Sequence, residues 1–170
     1  MTLLQSTATL LIVASALSNP GCEPADPTSS PTREGSPMPS EQLQVTPLYS
    51  STNSGFSGPA ELVIRDRSAL DRAMQEATHD VVADPTALEV DFGTDMVVLV
   101  AIGTRSSGGY GVRVEEVVRS DGGAVVHYTV TRPGTGCMTT QALTSPVEVV
   151  RVERIEGSVT FERRDVAQDC

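Results

Sequence analysis

Histidine and cysteine, two residue types that often carry out acid–base and nucleophilic chemistry, are scarce in this chain. There are two histidines, His79 and His127, and three cysteines, Cys22, Cys137 and Cys170. A Ser-His-Asp hydrolase needs a nucleophile elbow, Gly-x-Ser-x-Gly, or an equivalent turn, and the sequence contains no such elbow. A loop could bring Cys137 and His127 together as a nucleophile–base pair, but a disulfide explains Cys137 better. We therefore expect that the protein is not an enzyme.

The acidic residues do not form a recognised metal motif. Residues 91–93 read Asp-Phe-Gly, like the metal-binding tripeptide of kinases, but no glycine-rich ATP loop or catalytic loop accompanies them. Asp80, Asp84 and Asp95 lie nearby without the spacing of an EF-hand. We interpret residues 91–93 as a turn, and we predict no metal and no cofactor.

The most distinctive segment is residues 103–111, Gly-Thr-Arg-Ser-Ser-Gly-Gly-Tyr-Gly, between an apolar run (96–102) and an alternating run (112–118). Glycine permits backbone conformations with positive φ, and long loops on a rigid sheet often carry function. Two alternatives are an anion-binding nest of backbone N–H groups and a purely structural loop with its tyrosine packed over the sheet. The residues predicted to contact a protein partner are Arg105, Ser107, Gly108, Gly109 and Tyr110.

The elements around this loop predict an α+β fold, a mostly antiparallel sheet with one helix packed on it. Ser68 is the expected N-cap of the helix, with Asp71 in a capping-box position. The helix then presents one apolar face made of Leu70, Ala73, Met74 and Ala77. His79 follows the helix, and His127 is expected on the surface of a strand, opposite Tyr128.

The predicted strands outnumber the helix. A turn at 121–123 predicts a hairpin, and the strands after the helix suggest a meander in the C-terminal half. Residues 49–59 are expected to form a loop. The predicted strands span 43–45, 60–65, 88–92, 96–102, 112–118, 124–131, 147–152 and 158–161.

Composition and charge narrow the class of protein. The 170 residues carry 12 Lys and Arg against 22 Asp and Glu, a net charge of −10. Nucleic-acid binding needs a basic face, so this balance disfavours it. The length suits one folded domain, placed at residues 42–170, with additional segments.

The N-terminal segment has the pattern of an export signal, residues 1–22. Its apolar stretch, 10–17, is too short to span a bilayer and suits a signal peptide, although no Lys or Arg precedes it. Gly21-Cys22 resembles a bacterial lipoprotein site, which predicts lipidation at Cys22 and a location in the cell envelope. Cleavage near 14–16, giving a secreted or periplasmic protein, and a different true start are the alternatives. Residues 23–41, rich in Pro and Ser, predict a disordered tether.

The cysteine count is odd, which in an exported protein requires a second fate for one cysteine. If Cys22 is lipidated, Cys137 and Cys170 remain, and an oxidising compartment favours a disulfide between them. Two free thiols are the alternative. No Cys-x-x-Cys pair or Cys/His cluster is present, which argues against zinc.

The ordered elements resemble the C-terminal domain of the protease-complex subunit PrcB. The resemblance covers roughly residues 43–161, with the segment similar to the C-terminal domain at about 97–152. The chain follows the family's order of apolar strand, Gly-Gly-Tyr loop, two strands, Pro-Gly loop and a last strand after proline, with Ser107 where threonine is commoner. The matching segments are 97–103, 107–110, 112–118, 125–130, 132–134 and 146–152.

This resemblance implies a non-catalytic accessory or stabilising subunit, with an envelope protease as its protein partner and contact to the membrane only through a lipid anchor. The alternative is a protease inhibitor similar to chagasin, which also presents a Gly-Tyr loop and an Arg-Pro loop. Here Arg132-Pro133 lacks the aromatic residue that follows in that family.

Overall fold

The structure is a computed structural model that describes residues 40–78, 88–120 and 122–170. The predicted signal, the lipidation site Cys22 and most of the tether lie outside the described residues, as do His79, Asp80 and Asp84. Glu41, assigned to the tether, already belongs to the first strand. Among the described residues, no helix is both long enough and apolar enough to cross a membrane.

Eight strands and one helix make up the described part of the chain. They are, in chain order, β1 (Glu41–Leu43), β2 (Thr46–Ser51), β3 (Pro59–Ile64), α1 (Arg67–Thr78), β4 (Asp95–Ile102), β5 (Gly111–Ser120), β6 (Gly123–Pro133), β7 (Val147–Glu153) and β8 (Ser158–Gln168).

The strands form two four-stranded sheets, and the helix adds a third layer. We call β1-β5-β6-β8 the outer sheet and β2-β7-β4-β3 the central sheet. All pairs are antiparallel except β6 with β8, which run parallel. The predicted α+β class, mostly antiparallel with one helix, is confirmed.

Strand β4 explains how the layers hold together. Met96, Val98 and Val100 belong to the core shared with the outer sheet. Val97 and Leu99 belong to the core shared with the helix. Because successive side chains of a strand point to opposite faces, a strand covered on both faces must be apolar throughout. The predicted central strand is confirmed.

The helix begins at Arg67, two residues earlier than a cap at Ser68 allows. The Asp66 carboxylate accepts hydrogen bonds from the Ser68 hydroxyl at 2.7 Å and from the Ala69 N–H at 2.8 Å. These bonds, led by that from Ser68, lower the pKa of Asp66. Ser68 as N-cap was therefore wrong: Asp66 caps the helix, and Ser68 supports the cap. The predicted apolar face is confirmed, with Leu70, Ala73, Met74 and Ala77 all buried.

Two local predictions of secondary structure were wrong. Residues 49–51 extend β2, although they were assigned to a loop. Residues 88–92 form no strand, because Asp91 starts a turn in which its carboxylate accepts a hydrogen bond from the Gly93 N–H at 2.8 Å.

The meander also needs correction. The hairpin of β5 and β6 is present, but β7 leaves for the central sheet, and β8 returns to pair in parallel with β6. After β4 the chain crosses between the sheets three times, and the last crossing, from β7 to β8, lies at the opposite end from the other two. The first two crossings, from β4 to β5 and from β6 to β7, lie together at one end of the molecule.

Candidate functional site

Three loops meet at this end of the sandwich. The glycine loop (103–110) carries the chain from β4 to β5, and the crossing loop (134–146) carries it back from β6 to β7. The serine loop (52–58) joins β2 to β3 across the end of the central sheet. The predicted partner-binding residues all lie in the glycine loop.

The glycine loop is fastened to the crossing loop through its backbone. Arg105 and Thr144 exchange two backbone hydrogen bonds, of 2.7 and 3.1 Å. The Gly108 N–H donates to the Thr140 carbonyl at 3.0 Å, and the Thr144 hydroxyl donates to the Ser107 carbonyl at 2.8 Å. Because its N–H is already used, Gly108 cannot contribute to an anion nest. The nest hypothesis is therefore wrong at this residue.

Two glycines of the loop are required by its path. Gly103 has φ +74°, and a Cβ there would lie 2.7 Å from the carbonyl carbon of Gly58. Gly109 has φ +85°, and a Cβ there would lie 3.1 Å from Pro133. Side chains strain such conformations, so the loop can follow this course only with glycine at both positions.

The side chains of Arg105 and Tyr110 both point inward, toward the end of β4 and the core between the sheets. The Arg105 guanidinium donates a hydrogen bond to the Ile102 carbonyl at 2.6 Å and lies 5.7 Å from the centre of the Tyr110 ring. Tyr110 in turn packs against the core between the two sheets. This cation–π pair closes the loop on itself.

The five predicted contact residues differ in exposure. Gly109 is exposed, Gly108 is buried, and Arg105, Ser107 and Tyr110 are partly buried. The loop therefore offers a partner the backbone at Gly109 and the accessible parts of its neighbours.

The crossing loop presents apolar side chains that the sequence analysis missed. Met138 is fully exposed (101%) and Leu143 is 71% exposed. Thr139, next to Met138, lies against Gly109, and Thr144, next to Leu143, is bonded to Arg105, so each apolar residue adjoins a residue that contacts the glycine loop. The available signal was two large apolar residues within a polar loop rich in Thr and Gly.

A disulfide anchors the crossing loop to the C-terminus. Cys137 is bonded to Cys170, with their Cα atoms 5.3 Å apart, as the cysteine count predicted. The Gly134 N–H also donates to the Gln168 carbonyl at 3.1 Å. Since Cys137 is held in this bond, the pairing of a Cys137 nucleophile with His127 is not available.

The serine loop ties the same end to the helix. Ser54 is buried, and its hydroxyl and N–H both donate to the Ser145 carbonyl, at 2.8 and 3.0 Å. The Ser145 hydroxyl donates to the Phe56 carbonyl at 2.5 Å. The Gly55 N–H donates to the Glu76 carbonyl at 2.8 Å. The serine loop thereby connects the crossing loop to α1, through the hydrogen bonds of Ser54 and Gly55.

A buried carboxylate, also missed from the sequence, links the two sheets. Glu148 on β7 accepts a hydrogen bond from the Val114 N–H on β5, next to an irregularity in the β5–β6 register. Burial raises the pKa of Glu148 above its usual range. Glu148 follows the crossing loop and Val114 follows the glycine loop, so this contact joins the strands into which the two loops lead.

The described histidine and the acidic residues are placed as follows. His127 lies on the outer sheet with Nδ1 3.3 Å from a Glu162 carboxylate oxygen, both partly open to solvent. This agrees with the predicted surface position opposite Tyr128, which is buried. No group of three His, Cys, Asp or Glu residues within the described ranges could hold a metal ion.

Residues 96–153 match the family model described as PrcB C-terminal. This segment belongs to the PrcB family. The match covers roughly a third of the chain, from β4 through β7, and includes the glycine and crossing loops. It points to a subunit associated with a protease complex.

The PrcB-like segment is extended at both ends in this chain. Strands β1 to β3 and the helix precede it, and β8 with the disulfide partner Cys170 follows it. No curated protein and no solved structure gave a match.

Proposed function

We propose that this protein is a non-catalytic accessory subunit of an envelope protease complex, and that it holds its partner at the loop end of the sandwich. The predicted contact residues Arg105, Ser107, Gly108, Gly109 and Tyr110 build the glycine loop, whose accessible part forms one side of the contact surface. The observation that carries the proposal is the other side, where Met138 and Leu143 stand exposed on a firmly anchored loop.

Both the burial of apolar side chains and the rigidity of the crossing loop favour binding at this surface. Burying a Leu or Met side chain contributes about 1.5–3 kcal/mol. Ordering a mobile loop would consume part of that gain. Here the disulfide at Cys137 and the backbone bonds of Thr140 and Thr144 hold the crossing loop before any partner arrives. Because the loop is already ordered, little of the gain from burying these two apolar side chains is lost when a partner binds.

The two loops have different parts in this surface. The glycine loop contributes the exposed backbone of Gly109 and the accessible part of the Tyr110 ring, with Ser107 at the side. Arg105 and Gly108 shape the loop from within. The crossing loop contributes the side chains that a partner would bury.

The location of the protein is part of the proposal. We propose that Cys22 carries lipid and that the tether sets the folded domain off the membrane. The Cys137–Cys170 disulfide supports an oxidising compartment outside the cytoplasm. Replacement of Cys22 by Ala should move the protein from the membrane fraction to the soluble fraction. Retention in the membrane fraction would contradict lipidation at this residue.

The function is tested by capture from envelope extract with the full chain as bait, followed by mass spectrometry and a protease assay of the eluate. We expect a protease to be recovered with the wild type and lost with Met138→Ser/Leu143→Ser. Val166→Ser is the matched control, since Val166 is exposed on β8 and lies outside the loop surface.

The assay also separates support from inhibition. An accessory subunit leaves the captured protease active, whereas a chagasin-like inhibitor would silence it. Recovery of no protease, or equal recovery with the double variant, would contradict the proposed site.

A further inference from the structure

Four strands form the edges of the two sheets in the described part of the chain, and three of them are protected against pairing. Strand β1 has only three residues. Strand β2 contains Pro47 and a register shift next to it. Strand β8 carries four charged residues in a row, 162–165. Short length, proline, irregularity and charge are the usual means of blocking an exposed edge.

Strand β3 has none of these protections along its centre. It pairs with β4 through six consecutive residues, Pro59 to Ile64, without a register shift, so the strand is regular. Its single charged residue, Glu61, is occupied by a hydrogen bond from the Tyr128 hydroxyl at 2.6 Å. A regular apolar edge of this kind is ready to pair with another strand.

The edge borders an apolar groove between β3 and α1. This groove has a volume of about 360 Å³. Its apolar lining comes from both elements and from the serine loop, and two charged residues of the helix complete it. The apolar lining residues are Phe56, Leu62, Val63, Ile64, Ala69 and Ala73, and the charged residues are Arg72 and Glu76.

We propose that β3 and the groove are covered by a second copy of the same chain, in a two-fold symmetric dimer. A two-fold axis perpendicular to the sheet places the two β3 strands antiparallel, so the two central sheets become one continuous sheet. Opposed residues then point to the same face, which restricts the pairing to registers centred on a single residue.

The side chains of β3 select one register. Centring on Leu62 pairs Leu62 with its own copy and Ala60 with Ile64 on one face, all apolar, and sets Glu61 opposite Val63 on the other face, so that no two like charges are opposed. Centring on Glu61 would pair the strands over a similar length but would set two carboxylates directly opposite each other, which destabilises a sheet. The edge is therefore self-complementary about Leu62.

The helix is self-complementary about the same groove. The axis that relates the strands also sets the two α1 helices antiparallel. Arg72 and Glu76 line the groove beside Leu62, so we place Arg72 of each copy opposite Glu76 of the other, which gives the contact two pairs of opposite charge. Ala69, partly exposed in the same groove, is small and permits a close approach. Matching of one patch with itself is what an isologous interface requires.

The experiment measures the mass of the full chain by sedimentation equilibrium, from low to high micromolar concentration. The wild type is expected to be a dimer that dissociates on dilution. Glu76→Arg should raise the dissociation constant at least about tenfold, because Arg72 of one copy then faces an arginine of the other. The exchange Arg72→Glu/Glu76→Arg should restore the dimer.

Two measurements keep this test specific. Glu162→Arg makes the same change of charge on β8 and should leave the dimer intact. Thermal unfolding of each variant shows whether its monomer is folded. A wild type that stays monomeric at every concentration overturns the proposal, whatever else binds the groove. A dimer unaffected by Glu76→Arg, or not restored by the exchange, overturns it as well.

Discussion

The glycine loop and the crossing loop pass between the same two sheets in opposite directions, yet they use their residues differently. The glycine loop has the conspicuous sequence, and most of that sequence serves its own path: Gly103 and Gly109 adopt positive φ, and Gly108 is buried. The crossing loop has an unremarkable sequence and exposes Met138 and Leu143. A distinctive backbone motif can therefore support a contact surface whose side chains lie in the neighbouring loop.

The largest effect is expected from removing the covalent support of the crossing loop. Cys137→Ser/Cys170→Ser releases a link that spans 33 residues. A bridge of this span is worth about 3–4 kcal/mol in the chain-entropy model. Urea unfolding of the wild type and the double variant measures the difference. A loss below about 1 kcal/mol would mean that hydrogen bonds alone hold the crossing loop.

Replacing one glycine in each loop tests whether stability depends on glycine only where the backbone conformation requires it. Gly103→Ala should cost about 2 kcal/mol or more, since the new Cβ meets the Gly58 backbone in a strained conformation. Gly136→Ala in the crossing loop should change stability by less than about 0.5 kcal/mol, because nothing lies near its Cβ position. Thermal and urea unfolding of both variants provide the comparison. Equal costs would remove the distinction drawn between the two loops.

The smallest effect concerns the carboxylate that joins the strands after the two loops. Burial raises the pKa of Glu148, so the folded protein holds the Glu148 proton more tightly than the unfolded chain does. Stability from this group is therefore lost as pH rises from the ordinary glutamate pKa through the raised one. Glu148→Gln does not titrate.

Unfolding free energies measured at several pH values across that window test this sign. The difference between Glu148→Gln and the wild type should shift in favour of the variant as pH rises. A difference that is constant with pH would show that the Glu148 pKa is the same in the folded and unfolded chain.

The sequence predicted those elements whose signals are local. Short-range patterns indicated the apolar strand β4, the buried face of α1 and the β5–β6 hairpin. The ordered set of elements around the Gly-Gly-Tyr loop pointed to the PrcB family. The disulfide followed from counting cysteines. Its partners are far apart in sequence, but only three cysteines had to be assigned.

The remaining features depend on long-range packing. The residues of β7 and β8 do not indicate which sheet each strand joins. The charged residues 162–165 are not typical of a strand, so the sequence did not predict that β8 continues to Gln168 beside β6. The cap at Asp66 competed with an equally suitable Ser68. The exposure of Leu143 and the burial of Glu148 run against the usual preference of each residue type, so composition alone points the wrong way.

The central claim is that the glycine loop supports a surface on which Met138 and Leu143 are the anchors. The most direct measurement compares Leu143→Ser with Gly103→Ala in two readouts, capture of the protease from envelope extract and free energy of unfolding. We expect Leu143→Ser to reduce capture at least about tenfold while stability changes by less than about 0.5 kcal/mol. Gly103→Ala should lower stability first and capture only as the fold is lost. Full capture by Leu143→Ser would contradict the claim.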